Sequence, residues 1–162
     1  MIPKLEILSG KKLVGMRLKM TFSNDKTFKL WSTFMPVRNE VKNVITADLF
    51  SMQIYNRNFD FSNFDLDSEF EKWAAVEVAD FEFIPPGMQP FILESGLYAV
   101  FIHKGASSSG PETFRHIFGT WLPGSDYLVD GRPHFEILGE KYKHDDPGSE
   151  EEVWIPVKQK KQ

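Results

Sequence analysis

Residues 27–36 read "TFKLWSTFMP", and residues 113–123 read "TFRHIFGTWLP", the same run with one residue added. Both begin Thr-Phe-basic and end Thr-aromatic-Met/Leu-Pro. The correspondence extends outward in order. Ser9-Gly10 precede "KKLVGMRL", as Ser95-Gly96 precede "LYAVFIH". Downstream, "SMQIYN" (51–56) answers "HFEILGE" (134–140), matching Gln53 to Glu136, and "KWAAVEV" (72–78) answers "VWIPVK" (153–158), matching Trp73 to Trp154. Self-similarity at a fixed spacing decides the fold before any single element does. The chain reads as one unit used twice, with loops of different length.

Each copy has the same order of elements. Residues 12–21 alternate, with 4–8 as their leading part, and predict a strand. In 25–35, Asp25 is a candidate N-cap, and Phe28, Trp31 and Met35 fall at helical spacing before Pro36 ends the run. Strands at 48–55 and 72–79 follow, joined by the Asn/Asp-rich stretch 56–70. The second copy gives a strand at 90–103 and a helix at 111–122, with Pro111 near its start and Phe114, Phe118 and Trp121 on one stripe. Strands at 134–140 and 151–157 complete it, and "IPPG" (84–87) joins the copies. The expected fold is α+β: a βαββ unit over about 1–83, a second over about 88–158, and one domain over 1–162.

Composition narrows the function. With 162 residues, 41% hydrophobic and 26% charged, the chain is globular. It carries 15 Phe and 4 Trp, more aromatic surface than a core of this size needs, so some should line a cavity. There is no cysteine, which excludes disulfides, zinc-thiolate sites and cysteine nucleophiles and fits a reducing cytosol. No run approaches the ~18–20 apolar residues of a membrane span, and "MIPKLEILSG" has no apolar signal-peptide core. Net charge is −4 and the only basic cluster is the tail "KQKKQ", so direct DNA binding is not expected. No cofactor is implied. A glycine-rich entrance for phosphate is missing, and His103, His116, His134 and His144 show no ligand spacing for a metal. "HDDPGSEEE" reads as a solvated loop and "SSSG" (107–110) as a linker.

Strand parity then proposes a site. A βαββ sheet carries its helix on one face, and side chains alternate between faces. Assigning Val153, Ile155 and Val157 to the helix side turns Trp154 away; Ala74, Val76 and Val78 do the same for Trp73. Phe135 and Ile137 in turn leave Glu136 on the helix-free face, and Met52 and Ile54 leave Gln53 and Tyr55 there. The expected ligand-binding set is Glu136, Trp73, Trp154, Tyr55 and Gln53, with Phe50 and Tyr142 at the rim and Trp121 as a further candidate. The plainer alternatives are a solvated strand glutamate, tryptophans packed against a loop, and a helical aromatic stripe that belongs to the core. Rings around one carboxylate suit flat lipophilic cations, each ring contributing roughly 0.5–2 kcal/mol.

The runs "GLYAVFIHKG" (96–105), "FRHIFGTWLPGSDYLVDGRPHFEIL" (114–138) and "EEVWIPVK" (151–158) resemble the GyrI-like small-molecule-binding domain. The resemblance implies a curved antiparallel sheet of two βαββ units, with helices on one face and a ligand groove on the other. It implies that Glu136 holds the position of a glutamate that contacts cationic ligands. It also implies two rival uses of such a groove: hydrolysis of strained electrophilic xenobiotics with Glu136 as the catalytic carboxylate, and binding of a protein partner such as gyrase. The first strand begins close to Met1, with no helix-turn-helix before it, which argues against direct transcriptional control. A lipophilic or cationic small molecule is the expected partner.

Overall fold

The structure is a computed structural model that describes residues 1–63 and 65–161. Its elements run β1 (Lys4–Leu8), β2 (Lys11–Met20), α1 (Thr27–Phe34), β3 (Val44–Tyr55), β4 (Phe70–Val78), β5 (Gln89–Leu93), β6 (Gly96–Lys104), α2 (Gly110–His116), β7 (Tyr127–Val129), β8 (His134–Leu138) and β9 (Glu150–Gln159). The unit β2-α1-β3-β4 is repeated as β6-α2-β8-β9, as the duplicated α+β reading expects. Pairing is antiparallel throughout, in the order β1-β6-β9-β8-β3-β4-β2-β5, with β7 beside β9.

Both helices begin and end by local chemistry. Lys26, not Asp25, is the N-cap of α1; the Asp25 carboxylate, one residue earlier, accepts the Thr27 N–H at 2.8 Å, covering one of the free donors at the start of the helix. Pro36 does not end the helical run. It opens a 3₁₀ turn over Met35–Glu40, where a missing N–H is tolerated. Pro111 lies in the first turn of α2, which widens into a π turn over Ile117–Trp121.

The leading strands are exchanged between the copies, which alternation could not reveal. Residues 4–8 are not an extension of β2. They form β1, which pairs with β6 of the other half, while β5 breaks from β6 at Glu94–Ser95 and pairs with β2. A two-residue link joins β1 to β2, yet they stand six places apart in the sheet order. In a flat sheet that separation is roughly 29 Å, whereas the three Cα steps from Leu8 to Lys11 reach only about 11 Å. The sheet must therefore curl until its ends approach.

The curl creates two different apolar regions. On the outer face, α1 seats Leu30 and Phe34 on Val14, Ala74, Val76 and Val78. There α2 and its π turn seat Ile117 and Phe118 on Ala99, Phe101, Val153, Ile155 and Val157. The inner face closes on itself: Leu8, Leu13 and Leu93 from the two ends of the sheet meet Phe50, Met52, Trp73, Tyr98, Phe135 and Trp154 from its middle. The helix-free face is thus a filled core.

Candidate functional site

The centre of the sheet, where β8 of one half pairs with β3 of the other, lies under neither helix. Its register corrects the parity reading for both strands. Glu136 is opposite Val153 and Ser51, and Gln53 is opposite Lys72. Directly opposed residues share a face, and Val153 packs on α2. Glu136, Gln53 and Tyr55 therefore lie on the helix side, in the seam between α1 and α2. Phe135, Ile137, Met52 and Ile54, assigned to the helices by alternation, fill the inner core instead.

The aromatic candidates separate accordingly. Trp73, Trp154 and Phe50 are buried on the inner face, so they do not share a face with Glu136. Trp154 stacks on Phe135 at 5.2 Å and meets Tyr98 edge-on at 5.7 Å. The two tryptophans keep the symmetry of the repeat. Trp73 donates its indole N–H to Glu71 at 2.7 Å, and Trp154 donates to Glu152 at 2.8 Å, each two residues back along its strand. Trp121 packs edge-on to Phe101 at 5.3 Å in the core under α2. Tyr142 lies half-buried in the turn after β8, its N–H bonded to the Gly139 carbonyl.

What joins Glu136 in the seam is partly a polar floor. Gln53 hydrogen-bonds the Glu136 carboxylate, and its amide also donates to Ser51 at 3.4 Å. Lys72, hydrogen-bonded to Thr27 at the start of α1 at 3.0 Å, brings a positive charge, and Glu151 from β9 brings a negative one. Burial pushes the Glu136 carboxyl up to about 7. Lys72 pulls it down, Glu151 pushes it up and the Gln53 hydrogen bond pulls it down, but burial dominates. Burial also raises Glu151, against the pull of His103 and Lys72. His103 is held between Thr113 at 2.6 Å and the Ala106 carbonyl at 3.1 Å, tying β6 to the entrance of α2.

Aromatic rings continue the floor along the seam. Tyr55 meets His134 at 4.9 Å, Phe61 stacks on both His134 and Phe118 at 5.0 Å, and Phe59 lies 4.7 Å from Tyr55 and 4.8 Å from Phe61. Burial holds His134 far below its ordinary value, at about 3, so the ring is neutral. Burial first, and the Glu136 charge second, raise the Tyr55 hydroxyl. Lys72, Glu151, Phe59, Phe61 and His134 were missed from the sequence. The signal available was the presence of Phe59 and Phe61 in an Asn/Asp-rich loop, where solvent alone gives no reason for an aromatic side chain.

The raised carboxyl has a consequence for stability. In the unfolded chain Glu136 titrates near its ordinary 4.5, and in the folded chain near 7. Between these values the folded state holds the extra proton, so stability falls as pH rises through that window. Glu136→Gln should therefore melt higher than the parent at pH 8, with the difference shrinking to about a quarter of that size at pH 5. Thermal melts of both proteins across pH 5–8 measure it; a difference independent of pH contradicts it.

An α+β sheet with a half-buried polar and aromatic seam fits a small-molecule-binding fold. The chain belongs to the GyrI-like family, matching the GyrI-like small molecule binding domain over residues 1–158. It is 25% identical over 146 residues to the transcriptional regulator BrlR of Pseudomonas aeruginosa, a match covering 90% of this chain and 51% of that protein. The chain thus spans about half the length of that relative. Its fold is shared with SAV2435, solved bound to tetraphenylphosphonium, at a TM-score of 0.73 and 18% identity over 98% of this chain and 94% of that one. The C-terminal domain of EcmrR aligns at a TM-score of 0.72, with 17% identity over 98% of each chain. Among the described residues no helix is long and apolar enough to cross a membrane.

Proposed function

We propose that the chain binds lipophilic organic cations in the seam between α1 and α2, sequestering or sensing them, with Glu136 as countercharge. The observation that carries this reading is Glu136 itself: a desolvated carboxyl with aromatic rings on its own face of the sheet. A half-buried carboxyl that is half ionised at pH 7 is a poor match for an anion. It becomes a strong partner once a cation enters, because low local dielectric magnifies the attraction. Tyr55 and Phe61 offer ring faces to the same cation. Tetraphenylphosphonium, the ligand named for SAV2435, is the natural probe. Calorimetric titration of the chain and of Glu136→Gln with that cation, beside neutral triphenylphosphine oxide, tests the reading.

A second reading has one observation in its favour. A carboxyl titrating at about 7 is well matched to general-base work near neutral pH, so hydrolysis of an electrophilic ligand in the same seam is the alternative. Product formation from a cyclopropane-bearing alkylator would support it, and stoichiometric binding without product would support sequestration. Direct DNA binding is not expected of this chain, since its net charge of −4 provides no basic stripe to displace counterions.

A further inference from the structure

The lower end of β3 opens into a cleft of about 540 Å³ whose charge is opposite to that of the seam. One wall is aromatic, built from Tyr55, Phe59 and Phe61, and Leu128 and Val129 extend the apolar surface. The cations on it are Arg57, Arg132 and Lys158. A single carboxylate, Asp130, lies among them and is already engaged. Arg132 Nε donates to it at 2.9 Å and the Gly131 N–H donates at 2.8 Å. Burial raises the Asp130 carboxyl, but the Arg132 hydrogen bond, the Gly131 N–H and the charges of Arg132 and Lys158 outweigh it and hold the group below its ordinary value. His134, neutral at working pH, adds no charge to the lining.

Arg132 is fixed in place. Its guanidinium donates to the Leu97 and Val157 carbonyls at 2.7 and 3.1 Å and lies 4.8 Å above the Tyr98 ring. Arg57 and Lys158 are exposed at the mouth. Three cations against one committed carboxylate is a local reversal in a chain whose net charge is −4. An aromatic wall beside unneutralised basic groups is complementary to a flat ring that carries an anionic group.

We infer that this cleft is a second small-molecule site, for aryl carboxylates or sulfonates, separate in charge selectivity from the seam. The ring packs on Tyr55, Phe59 and Phe61 while the anion faces Arg57 and Lys158. The cleft shares Tyr55, Phe59 and Phe61 with the seam, so the inference adjoins the cation reading and differs from it in the charge that selects the ligand, Arg57 and Lys158 in place of Glu136.

The test uses 2-naphthoate and its neutral isostere 2-naphthamide, titrated into ¹⁵N-labelled protein at low salt. The naphthoate should perturb the amides of Leu128–Arg132 and bind roughly tenfold more tightly than the amide, from the summed charge interactions. Arg57→Gln and Lys158→Gln should each weaken naphthoate about threefold without weakening naphthamide. Glu136→Gln should leave naphthoate binding intact. Equal affinity for acid and amide, perturbations confined to other parts of the chain, unchanged naphthoate binding in both basic variants, or no binding at millimolar ligand would each overturn the inference. Loss of tetraphenylphosphonium binding in Glu136→Gln with naphthoate binding retained would show that the two ligands depend on different charges.

Discussion

Replacing Glu136 by Gln should weaken tetraphenylphosphonium roughly 30-fold or more, corresponding to about 2 kcal/mol or above, the range for removing one partner of a desolvated charge pair. Triphenylphosphine oxide, similar in rings but uncharged, should change by no more than about twofold, because ring packing remains. Gln is close to Glu in shape and can keep a hydrogen bond to Gln53, so the variant isolates charge from volume. Lys72 makes the comparison sharper. In the parent it partly offsets the carboxylate, and in Glu136→Gln its charge remains in the seam to repel the cation. Calorimetry of both ligands against both proteins reads the effect, and equal losses for the two ligands would dispose of charge pairing.

The second large effect belongs to Trp154. Were it a groove wall, Trp154→Ala would weaken ligands and leave stability little changed. Its position in the inner core predicts the reverse. The substitution removes a stacked contact with Phe135 and an edge contact with Tyr98, and it leaves Glu152 without its indole donor. Large-to-small changes of this kind cost about 3–5 kcal/mol, which in a chain of this length lowers Tm by roughly 10 °C. Trp73→Ala should behave alike, since its ring packs on Phe91 at 5.3 Å and is almost wholly buried. Thermal melts combined with tetraphenylphosphonium titration of the folded fraction separate the two expectations. Full stability with lost binding would place these rings at the ligand after all.

The duplication was legible because two copies constrain each other: "TFKLWSTFMP" and "TFRHIFGTWLP" both became helices, and Trp73 and Trp154 both became indole donors to a carboxylate two residues back. The family was legible from the "RPHFEIL" and "EEVWIPVK" runs, and the match over residues 1–158 agrees. What alternation could not supply was its phase in the two central strands. β3 and β8 pack on the inner core with one face and lie under neither helix with the other. The rule that the apolar residues of a strand face the helix therefore assigned Met52, Ile54, Phe135 and Ile137 to the wrong side, and periodicity alone does not choose between the faces. The register does, by pairing Phe135 with Trp154 and Glu136 with Val153. The exchange of β1 and β5 lay beyond sequence reasoning for a related reason. Strand partners depend on how far the sheet curls, and the two-residue link after Leu8 constrains that only once the order of strands is known.

The central claim is that a cation entering the seam converts Glu136 from a partly protonated carboxyl to a carboxylate, and proton release measures that directly. At pH 7 a carboxyl titrating at about 7 is half protonated. Tetraphenylphosphonium binding should therefore expel about half a proton per ligand, seen as a dependence of the calorimetric heat on buffer ionisation enthalpy. The released fraction should shrink toward zero by pH 9 and be absent in Glu136→Gln at every pH. Tight binding with no proton release at pH 7, or the same release from Glu136→Gln, would contradict the account.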